Sequence, residues 1–503
     1  MKDHQVLFRS TRGDRENVDA SSAILRGLAP DGGLYVPDHL PRFTRTMRDF
    51  AQMSYQECAY EVMRMLLTDF SDRELKASVT AAYDEKFDTR AIAPVMCCGN
   101  AYFLELWHGA TMAFKDMALS ILPYLMTCAA HRKKEDKEIV ILTATSGDTG
   151  KAALAGFADV PGTRIVVFYP KDGVSPTQER QMVTQAGDNV HVIGVDGNFD
   201  DAQNGVKALF TDEALIGRMS EAGYRFSSAN SINIGRLVPQ IVYYVYAYAK
   251  LLREGEIGNG YEVNICVPTG NFGNILAAYY AQWMGLPVRK FLCASNSNKV
   301  LFDFFQTGVY DRNRAFILTD SPSMDILISS NLERLIYHIT GDDAEKDAAL
   351  MKRLVREGRY EISAQMKEEL QRFHGGYASE EACAQAIRDA YDEYGYLIDT
   401  HTAVGYAVHK QYVKETGDDT ATIIASTASP YKFTRAVLNA LDNKPMREGA
   451  GKEDDFALAE RLSKKTGTQI PAPFEALRNA KVRHKDTCDV DGMKASLKRI
   501  LSL

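Results

Sequence analysis

Three short runs of β-branched and aliphatic residues alternate with helical segments in the second quarter of the chain. Glu138–Leu142, Arg164–Tyr169 and Val190–Val195 start 26 residues apart each time. Each run leads through a loop into a segment whose apolar residues have helical spacing. This strand–loop–helix repetition predicts a parallel sheet covered by helices on both faces. Because parallel crossovers are right-handed, the connecting loops should meet at one edge of the sheet, where ligands bind.

Further runs of the same kind follow a long, apolar, tyrosine-rich helix predicted over Leu237–Leu252. Strands are predicted at Glu262–Val267, Val288–Cys293 and Ala421–Ser426, whereas Phe226–Arg236 is polar and predicts a loop. The first part of the chain combines a turn-rich stretch with two helical patterns. It predicts a mainly helical segment that caps or wraps the rest, and the overall expectation is an α/β fold.

Size and charge narrow the class of protein. A chain of 503 residues should fold as two or three domains. Its net charge of −7 gives no general attraction to nucleic acid or to acidic membranes, so an anionic substrate would need a local cluster of donors. No run approaches the roughly 20 apolar residues of a membrane span, and the first residues do not resemble a signal peptide.

The eight cysteines favour a reducing compartment. They form no CxxC pair, and the adjacent Cys97 and Cys98 suit neither a zinc site nor a structural disulfide. Several cysteines lie within apolar runs and are expected to be buried thiols. We therefore predict a cytoplasmic protein.

One lysine stands out as a candidate for covalent chemistry. Lys115 lies in Trp107-His-Gly-Ala-Thr-Met-Ala-Phe-Lys-Asp-Met-Ala118, with Phe114 and other apolar residues close by. Desolvation lowers the pKa of an ammonium group, and a neutral amine can attack a carbonyl. Alone this signal is weak, because many such lysines extend to water. Asp116 is expected to act only through electrostatics at a helix start, and Met117–Ala130 predicts an apolar helix.

Two glycine-containing loops lie between a predicted strand and a predicted helix and could bind an anion. They are Ser146-Gly-Asp-Thr-Gly150 and Gly270-Asn-Phe-Gly-Asn274. Small residues let several backbone N–H groups point at one anion, and the following helix adds its positive end. Thr145 and Ala152 stand where a nucleotide-binding P-loop needs Gly and Ser or Thr, so an NTPase is disfavoured. A reactive lysine, a phosphate site and a parallel-sheet edge together fit pyridoxal phosphate (PLP).

Five segments in chain order resemble the threonine synthase family, PLP enzymes with the fold of the tryptophan synthase β-subunit. They are Leu28-Ala-Pro-Asp-Gly-Gly-Leu-Tyr-Val36, Trp107–Asp116, Thr143–Gly150, Ser228–Asn233 with Arg236, and Pro268–Asn274. The first of them separates the family from related dehydratases and sulfhydrylases, which lack it. Weaker matches are Ser323-Met-Asp325 and Thr427–Phe433. Two positions depart from the family pattern, since Ser429 replaces the usual His and Ala110 replaces the usual Pro.

The resemblance implies the fold-type II architecture of PLP enzymes, with two parallel-sheet domains and the mainly helical N-terminal segment. Residues 1–97 would form that segment, residues 98–134 and 236–503 the large PLP-binding domain, and residues 135–235 a small, mobile α/β domain. Closure of the small domain over the large one would exclude water until the reaction needs it.

The same resemblance assigns the site residues. Lys115 would form a Schiff base with PLP and then act as general base, and Thr427 would meet the pyridine nitrogen. The other implied contacts are Gly270, Asn271, Phe272, Gly273 and Asn274 for the PLP phosphate; Ser146, Gly147, Asp148 and Thr149 for the substrate, chiefly its carboxylate; and Asn230, Ser231, Asn233 and Arg236 for the substrate phosphate. Lys151 and Lys432 are weaker candidates for binding the substrate phosphate, since each could instead be a solvated charge on the surface. His401 is expected to be structural or to line the pocket, and no histidine has metal-ligand spacing.

The implied reaction converts O-phospho-L-homoserine and water to L-threonine and phosphate, the last step of threonine biosynthesis. Lys115 would take the α-proton and then the β-proton, phosphate would leave from the γ-carbon, and water would add at the β-carbon. Two other functions remain open. One is a PLP phospho-lyase or β-eliminase acting on another phosphorylated amino acid, and the other is a non-catalytic binder, against which the presence of Lys115 argues.

Overall fold

The first part of the chain is a mainly helical unit. The computed structural model describes residues 5–145, 147–171, 173–448 and 453–503. Ser54 and Ser71 each begin a helix with a capping box, in which the hydroxyl accepts from the backbone N–H three residues later. The elements of this part are β1 (Phe8–Ser10), α1 (Ala20–Arg26), β2 (Tyr35–Pro37), α2 (Met47–Phe50), α3 (Tyr55–Met63) and α4 (Asp72–Ala82).

The stretch around the candidate lysine lies between an antiparallel strand pair and a helix. The apolar run Met117–Ala130, predicted as one helix, is divided between two. Pro123 lies in the first turn of the second helix. N–H groups in a first turn have no acceptor within the helix, so a proline there costs no helical hydrogen bond and a new helix can begin. The elements are β3 (Val95–Cys98), β4 (Ala101–Glu105), α5 (Asp116–Leu119) and α6 (Leu122–Arg132).

The three repeats of 26 residues form the parallel sheet that their pattern predicts. The elements are β5 (Glu138–Ala144), α7 (Asp148–Phe157), β6 (Thr163–Pro170), α8 (Pro176–Val183), β7 (Val190–Asp196), α9 (Phe199–Phe210), α10 (Glu213–Glu221) and β8 (Tyr224–Ser227). These four strands are parallel, in the order β7–β6–β5–β8. The predicted loop Phe226–Arg236 thus begins with part of an edge strand, which the apolar pattern missed because most of its residues are only half-buried.

The second strand series forms a six-stranded sheet. The elements up to its last strand are α11 (Ile234–Glu254), β9 (Val263–Pro268), α12 (Gly273–Met284), β10 (Val288–Ser295), α13 (Val300–Thr307), β11 (Val309–Asp311), α14 (Leu332–Ile339), α15 (Ala344–Glu357), β12 (Arg359–Glu361), α16 (Ala364–Glu369), β13 (Phe373–Tyr377), α17 (Glu380–Tyr394), α18 (Thr400–Thr416) and β14 (Thr422–Ser426). The strand order is β13–β10–β9–β14–β4–β3, and every pair is parallel except β4 with β3.

Helix α11 joins the N-terminal part to the six-stranded sheet. Nearly all of its residues are buried, and Tyr243, Tyr244 and Tyr248 are among the largest fully buried side chains. It packs against α3 on one side and α12 on another, so one apolar core runs through both parts. Burial of each large apolar side chain contributes about 1.5–3 kcal/mol, and this helix therefore fixes the N-terminal unit firmly to the larger sheet.

The end of the chain returns to the smaller sheet. After α19 (Thr434–Leu441), α20 (Asp455–Thr466) and α21 (Ala472–Arg478), β15 (Asp486–Asp489) pairs in parallel with β7. Helix α22 (Met493–Leu501) buries Met493, Leu497 and Leu501 in the same core as β6 and β7. The expectation that residues 236–503 belong wholly to the large domain is therefore wrong for the last strand and helix. The sequence of β15 is polar, so no apolar pattern marks it.

All eight cysteines are free thiols, five of them buried, while Cys97 is exposed. Within the described stretches, no helix is long and apolar enough to cross a membrane, and no group of His, Cys, Asp and Glu side chains could hold a metal ion.

Leu497→Ala should destabilise the smaller sheet selectively. Leu497 is fully buried, so its truncation leaves a cavity and should lower the free energy of unfolding by about 2–5 kcal/mol. Hydrogen exchange should show reduced protection in β6 and β7, with β9 and β10 unchanged. Arg499→Ala on the exposed face of the same helix is the matched control and should change little. Loss of protection in the larger sheet instead would contradict this assignment of the C-terminal helix.

Candidate active site

Lys115 is placed by backbone pairing between two segments far apart in sequence. The N–H of Phe114 donates to the carbonyl of Thr427 at 2.8 Å, and Ala113 forms a β-bridge with Ala428. Lys115 directly precedes α5, and its side chain is 14% exposed. The candidate lysine and the predicted ring-nitrogen contact are thus brought to the same place from distant parts of the chain.

Asp116 and Thr111 hold the turn that precedes the lysine. The buried Asp116 carboxylate accepts from the Thr111 N–H at 2.8 Å and from its hydroxyl at 2.6 Å. A Cβ atom at Gly109 would lie 2.6 Å from this carboxylate, so the turn requires glycine there. Burial raises the pKa of Asp116, and the bonds from Thr111 oppose that shift. Asp116 therefore fixes the turn, although only helix-start electrostatics was expected of it.

A buried cluster of charges surrounds the Lys115 amine. Asp148 Oδ2 lies 3.8 Å from Lys115 Nζ, and Lys432 donates to Asp148 Oδ1. The Ser323 hydroxyl donates to Asp148 Oδ2 at 3.1 Å. Burial alone would raise the pKa of Asp148, but Lys432 and Lys115 hold it well below the ordinary range. Asp148 therefore stays ionised in the site.

The amine of Lys115 is biased toward its neutral form. Burial lowers the pKa of Lys115, Asp148 opposes the shift, and Lys432 lowers the pKa further. The pKa of Lys151, which is 5% exposed, is also well below the ordinary value because of burial and Lys432. Lys151 and Lys432 both donate to the carbonyl of Thr111, at 3.5 and 3.1 Å. Neither of these two is a solvated surface charge.

The loop at the start of α7 lies beside this charge cluster. The Thr145 hydroxyl accepts from the N–H groups of Gly147 and Gly150, each at 3.1 Å, and so folds the loop back on itself. Thr149 is half-buried in the first helical turn. Ser146, which was also predicted to bind substrate, lies outside the described residues.

In the loop 270–274 before α12, hydrogen bonds hold the carbonyl groups of Gly270 and Asn271. The Ser329 hydroxyl donates to the carbonyl of Gly270 at 2.6 Å. Asn331 donates twice to the carbonyl of Asn271, from its backbone N–H at 3.1 Å and from its side chain at 2.9 Å. Because C=O and N–H point in opposite directions across a planar trans peptide, the N–H groups of Asn271 and Phe272 face the other side.

This loop fits a phosphate group. Among the described residues, no acceptor bonds any of the five backbone N–H groups from Gly270 to Asn274. Phe272 has a left-handed φ of 62°, which curves the loop, and the start of α12 adds its positive end. A Cβ at Gly270 would lie 2.9 Å from the Ser323 carbonyl, and Ser323 bonds Asp148. Ser323 therefore links the predicted phosphate loop to the Asp148–Lys115 pair.

Arg236 is the charged group among the residues predicted to bind the substrate phosphate, and it is buried. Its Nη1 donates to the carbonyl of Ala229 at 2.7 Å, while its buried Nε has no partner in the part of the chain that the structure describes. Burial lowers the pKa of Arg236 to about 10, and its charge contributes to the lowered pKa of Lys115. Asn230 is exposed and Ser231 half-buried on the loop before it.

Asn233 does not have a free group for a ligand. Its fully buried amide donates to the carbonyls of Ile24 and Ser228, both at 2.9 Å, and accepts from the N–H of Gly235 at 2.9 Å. All three polar positions of the side chain are used in capping α11 and in holding the loop against α1. The prediction that Asn233 binds the substrate phosphate is therefore wrong.

Ser323 and His401 form a polar contact that the sequence did not reveal. His401 Nε2 accepts from the Ser323 N–H at 3.1 Å, and Nδ1 lies 2.8 Å from an oxygen of Asp399. Because the accepting nitrogen carries no proton, Nδ1 is the protonated nitrogen and donates to Asp399. His401 thus positions the residue that bonds Asp148, which fits the expectation of a structural or pocket-lining histidine. Only the weak match at Ser323-Met-Asp325 gave a signal for this contact.

Family comparisons cover most of the chain. Residues 7–83 match the family model "Threonine synthase N terminus", residues 96–363 match "Pyridoxal-phosphate dependent enzyme", and residues 402–488 match "Threonine synthase, C-terminal". The chain belongs to the threonine synthase family. The cofactor of this family is PLP. The Lys115 amine suits the PLP aldehyde, and the five N–H groups that have no acceptor among the described residues suit its phosphate.

Individual relatives agree with this assignment. Threonine synthase-like 1 of Homo sapiens is 41% identical over 441 residues, which are 85% of this chain but only 58% of that protein. The threonine synthase of Pseudomonas aeruginosa is 38% identical over 439 residues, 86% of this chain and 90% of that protein. The crystal structure of PLP-bound threonine synthase from Brucella melitensis superposes with a TM-score of 0.85 at 32% identity and covers 99% of both chains.

The lowered pKa of Lys115 should be visible in cofactor binding. Because only the neutral amine attacks the aldehyde, the rate at which cofactor-free enzyme takes up PLP should rise with pH, with a midpoint below the ordinary lysine value. Lys432→Gln removes a neighbouring positive charge and frees Asp148 to stabilise the ammonium form, so the midpoint should move up. Lys410→Gln, which breaks a surface ion pair, is the control. An unchanged or lower midpoint in Lys432→Gln would contradict the proposed electrostatics.

Proposed function

We propose that this chain converts O-phospho-L-homoserine and water to L-threonine and phosphate. The observation that carries the proposal is the desolvated Lys115 amine, 3.8 Å from an ionised carboxylate and in one site with an open phosphate loop. When bound, PLP supplies an aldehyde for the substrate amine and a conjugated ring that accepts negative charge. Membership of the threonine synthase family and the coverage of the bacterial relatives support the same reaction.

Lys115 first holds the cofactor and then serves as the base. A lowered pKa leaves more of its amine neutral near pH 7, which suits removal of a proton from the substrate α-carbon and then from the β-carbon. The ion pair between Asp148 and Lys432 stays beside the Lys115 amine and holds charged groups in fixed positions around it. We assign Thr427 to the pyridine nitrogen of PLP, which a neutral hydroxyl would leave largely unprotonated.

The two ends of the substrate are bound by different parts of the chain. We assign the backbone N–H groups of Asp148 and Thr149 and the Thr149 hydroxyl to the carboxylate end, while Gly147, whose N–H donates to Thr145, shapes their loop. Arg236 binds the phosphate, because a buried guanidinium whose Nε has no partner among the described residues suits that anion, and Asn230 and Ser231 complete the contact.

We also propose that the smaller sheet moves as a unit to exclude water, and that the protein works in the cytoplasm. The moving unit contains residues 135–235 with β15 and α22, because the C-terminal helix shares the core of that sheet. The free thiols fit a reducing compartment.

A PLP phospho-lyase acting on a phosphorylated amino acid is the second candidate. It would use the same lysine and the same phosphate contacts, but after loss of phosphate the enamine would be released and hydrolysed to a 2-oxo acid and ammonia, with no water added at the β-carbon. The similarity to threonine synthase-like 1 of Homo sapiens, at 41% identity, favours keeping this alternative, since that name does not state a reaction.

Product analysis with O-phospho-L-homoserine separates the candidates. Wild type should release phosphate and L-threonine in equal amounts, and Lys115→Ala should be slower by roughly 10²–10⁴-fold or more, because a positioned base is lost. Lys465→Ala, which breaks an exposed ion pair, is the control and should be unaffected. A 2-oxo acid in place of threonine would favour the phospho-lyase, and equal turnover by Lys115→Ala would refute the role of the lysine.

A further inference from the structure

Arg334 connects three parts of the chain behind the phosphate loop. It is fully buried in α14, where its Nε donates to the carbonyl of Tyr35 at 2.8 Å and its Nη2 donates to the carbonyl of Ile232 at 2.5 Å. Its Nη1 donates to the side-chain oxygen of Asn331. One guanidinium group therefore bonds the N-terminal part, the loop at residues 228–233 and the residue that holds the Asn271 carbonyl.

Arg334 decides which way the Asn331 amide faces. A guanidinium group can only donate, so it must meet the amide oxygen of Asn331. The amide nitrogen is then directed to the opposite side, where it donates to the carbonyl of Asn271 at 2.9 Å and lies 3.4 Å from Ser231 Oγ. A rotated amide would set its oxygen against the Asn271 carbonyl and its N–H group against the guanidinium, and both contacts would repel.

The orientation of Asn331 determines the direction of a donor in the phosphate loop. The carbonyl of Asn271 accepts both the backbone N–H and the side chain of Asn331. Two bonds to one oxygen hold the peptide plane, and the N–H of Phe272 on the far side of that plane is turned toward the phosphate position.

The N-terminal part is attached at the same point by a second set of bonds. Glu333, the residue before Arg334, accepts from the Thr11 hydroxyl at 2.6 Å and from Arg12 at 2.9 and 2.7 Å. Burial opposes the charge of Arg12, but the Glu333 carboxylate raises its pKa overall, which keeps this ion pair charged. Thr11 and Arg12 of the N-terminal part thus hold the start of α14, and Asn331, just before that helix, bonds the phosphate loop.

We propose that Arg334 and Asn331 are positioning residues for the cofactor phosphate, through which the N-terminal part and the loop 228–233 set the geometry of the phosphate loop. Neither side chain needs to touch PLP. Arg334 orients Asn331, and Asn331 orients the Asn271 carbonyl. The inference rests on the proposed assignment of Gly270–Asn274 to the PLP phosphate.

Asn331→Asp tests this link with almost no change of shape. An ionised Asp still accepts from Arg334, but its side chain cannot donate to the Asn271 carbonyl and would repel it. We expect the affinity of cofactor-free enzyme for PLP to fall by about tenfold or more, the effect of a lost bond to a charged or strongly oriented group. The ³¹P chemical shift of bound PLP should also change, because the donors around its phosphate are rearranged.

Arg334→Lys should also lower the affinity for PLP, since one ammonium group cannot replace three diverging donors. For both variants the loss should lie mainly in PLP affinity, and kcat at saturating PLP should change less. Ile387→Ala is the matched control, because it creates a cavity in a different part of the core and lowers stability without touching the phosphate loop.

PLP affinity within twofold of wild type in both variants would overturn the inference. The inference would also be overturned if PLP affinity fell in these variants only in proportion to their loss of thermal stability, as in the control Ile387→Ala. Because the readout is PLP binding, failure of the proposed reaction is seen separately, as absent threonine formation by the wild type.

Discussion

The buried contact of Asp148 with two lysines is the interaction on which the site depends. Asp148 begins the first helix of the smaller sheet, while Lys115 and Lys432 belong to segments that pack on the larger one. Taking such charges out of water is costly, and removing one partner of a buried pair typically costs about 3–5 kcal/mol. The two units are therefore held together where the chemistry takes place. Burial there lowers the pKa of Lys115, Asp148 opposes this shift, and Lys432 adds to it.

Parallel topology explains why these groups meet. The loop with Asp148 follows β5, the phosphate loop follows β9, and Thr427 follows β14, so each lies at the carboxyl end of a parallel strand. Crossovers of one hand place those ends along one edge of each sheet. The lysine itself follows β4, the neighbour of β14, and backbone pairing between Phe114 and Thr427 completes the arrangement.

Periodicity predicted the elements that have a strong apolar signal, and it failed where polar groups decide the structure. The strands at 138, 164 and 190 follow from the repeats, but edge strands β8 and β15 have no apolar alternation to mark them. The glycine-containing loop at 270–274 was found from its residue types. The use of Asn233 as a helix cap depends on distant carbonyls that no local pattern shows, and the same holds for Arg334. Ser429, at the position of the family's usual His, is buried and caps a turn through Tyr431.

Three lysines with largely buried side chains lie close to Asp148 and Thr111, so the most direct test is to identify the one that bonds the cofactor. Borohydride reduction of the PLP-loaded protein makes the lysine–cofactor linkage permanent, and peptide mapping by mass spectrometry locates it. We expect a pyridoxyl group on the peptide that contains Lys115 and none on peptides that contain Lys151 or Lys432. Modification of either of those lysines instead would contradict the central assignment.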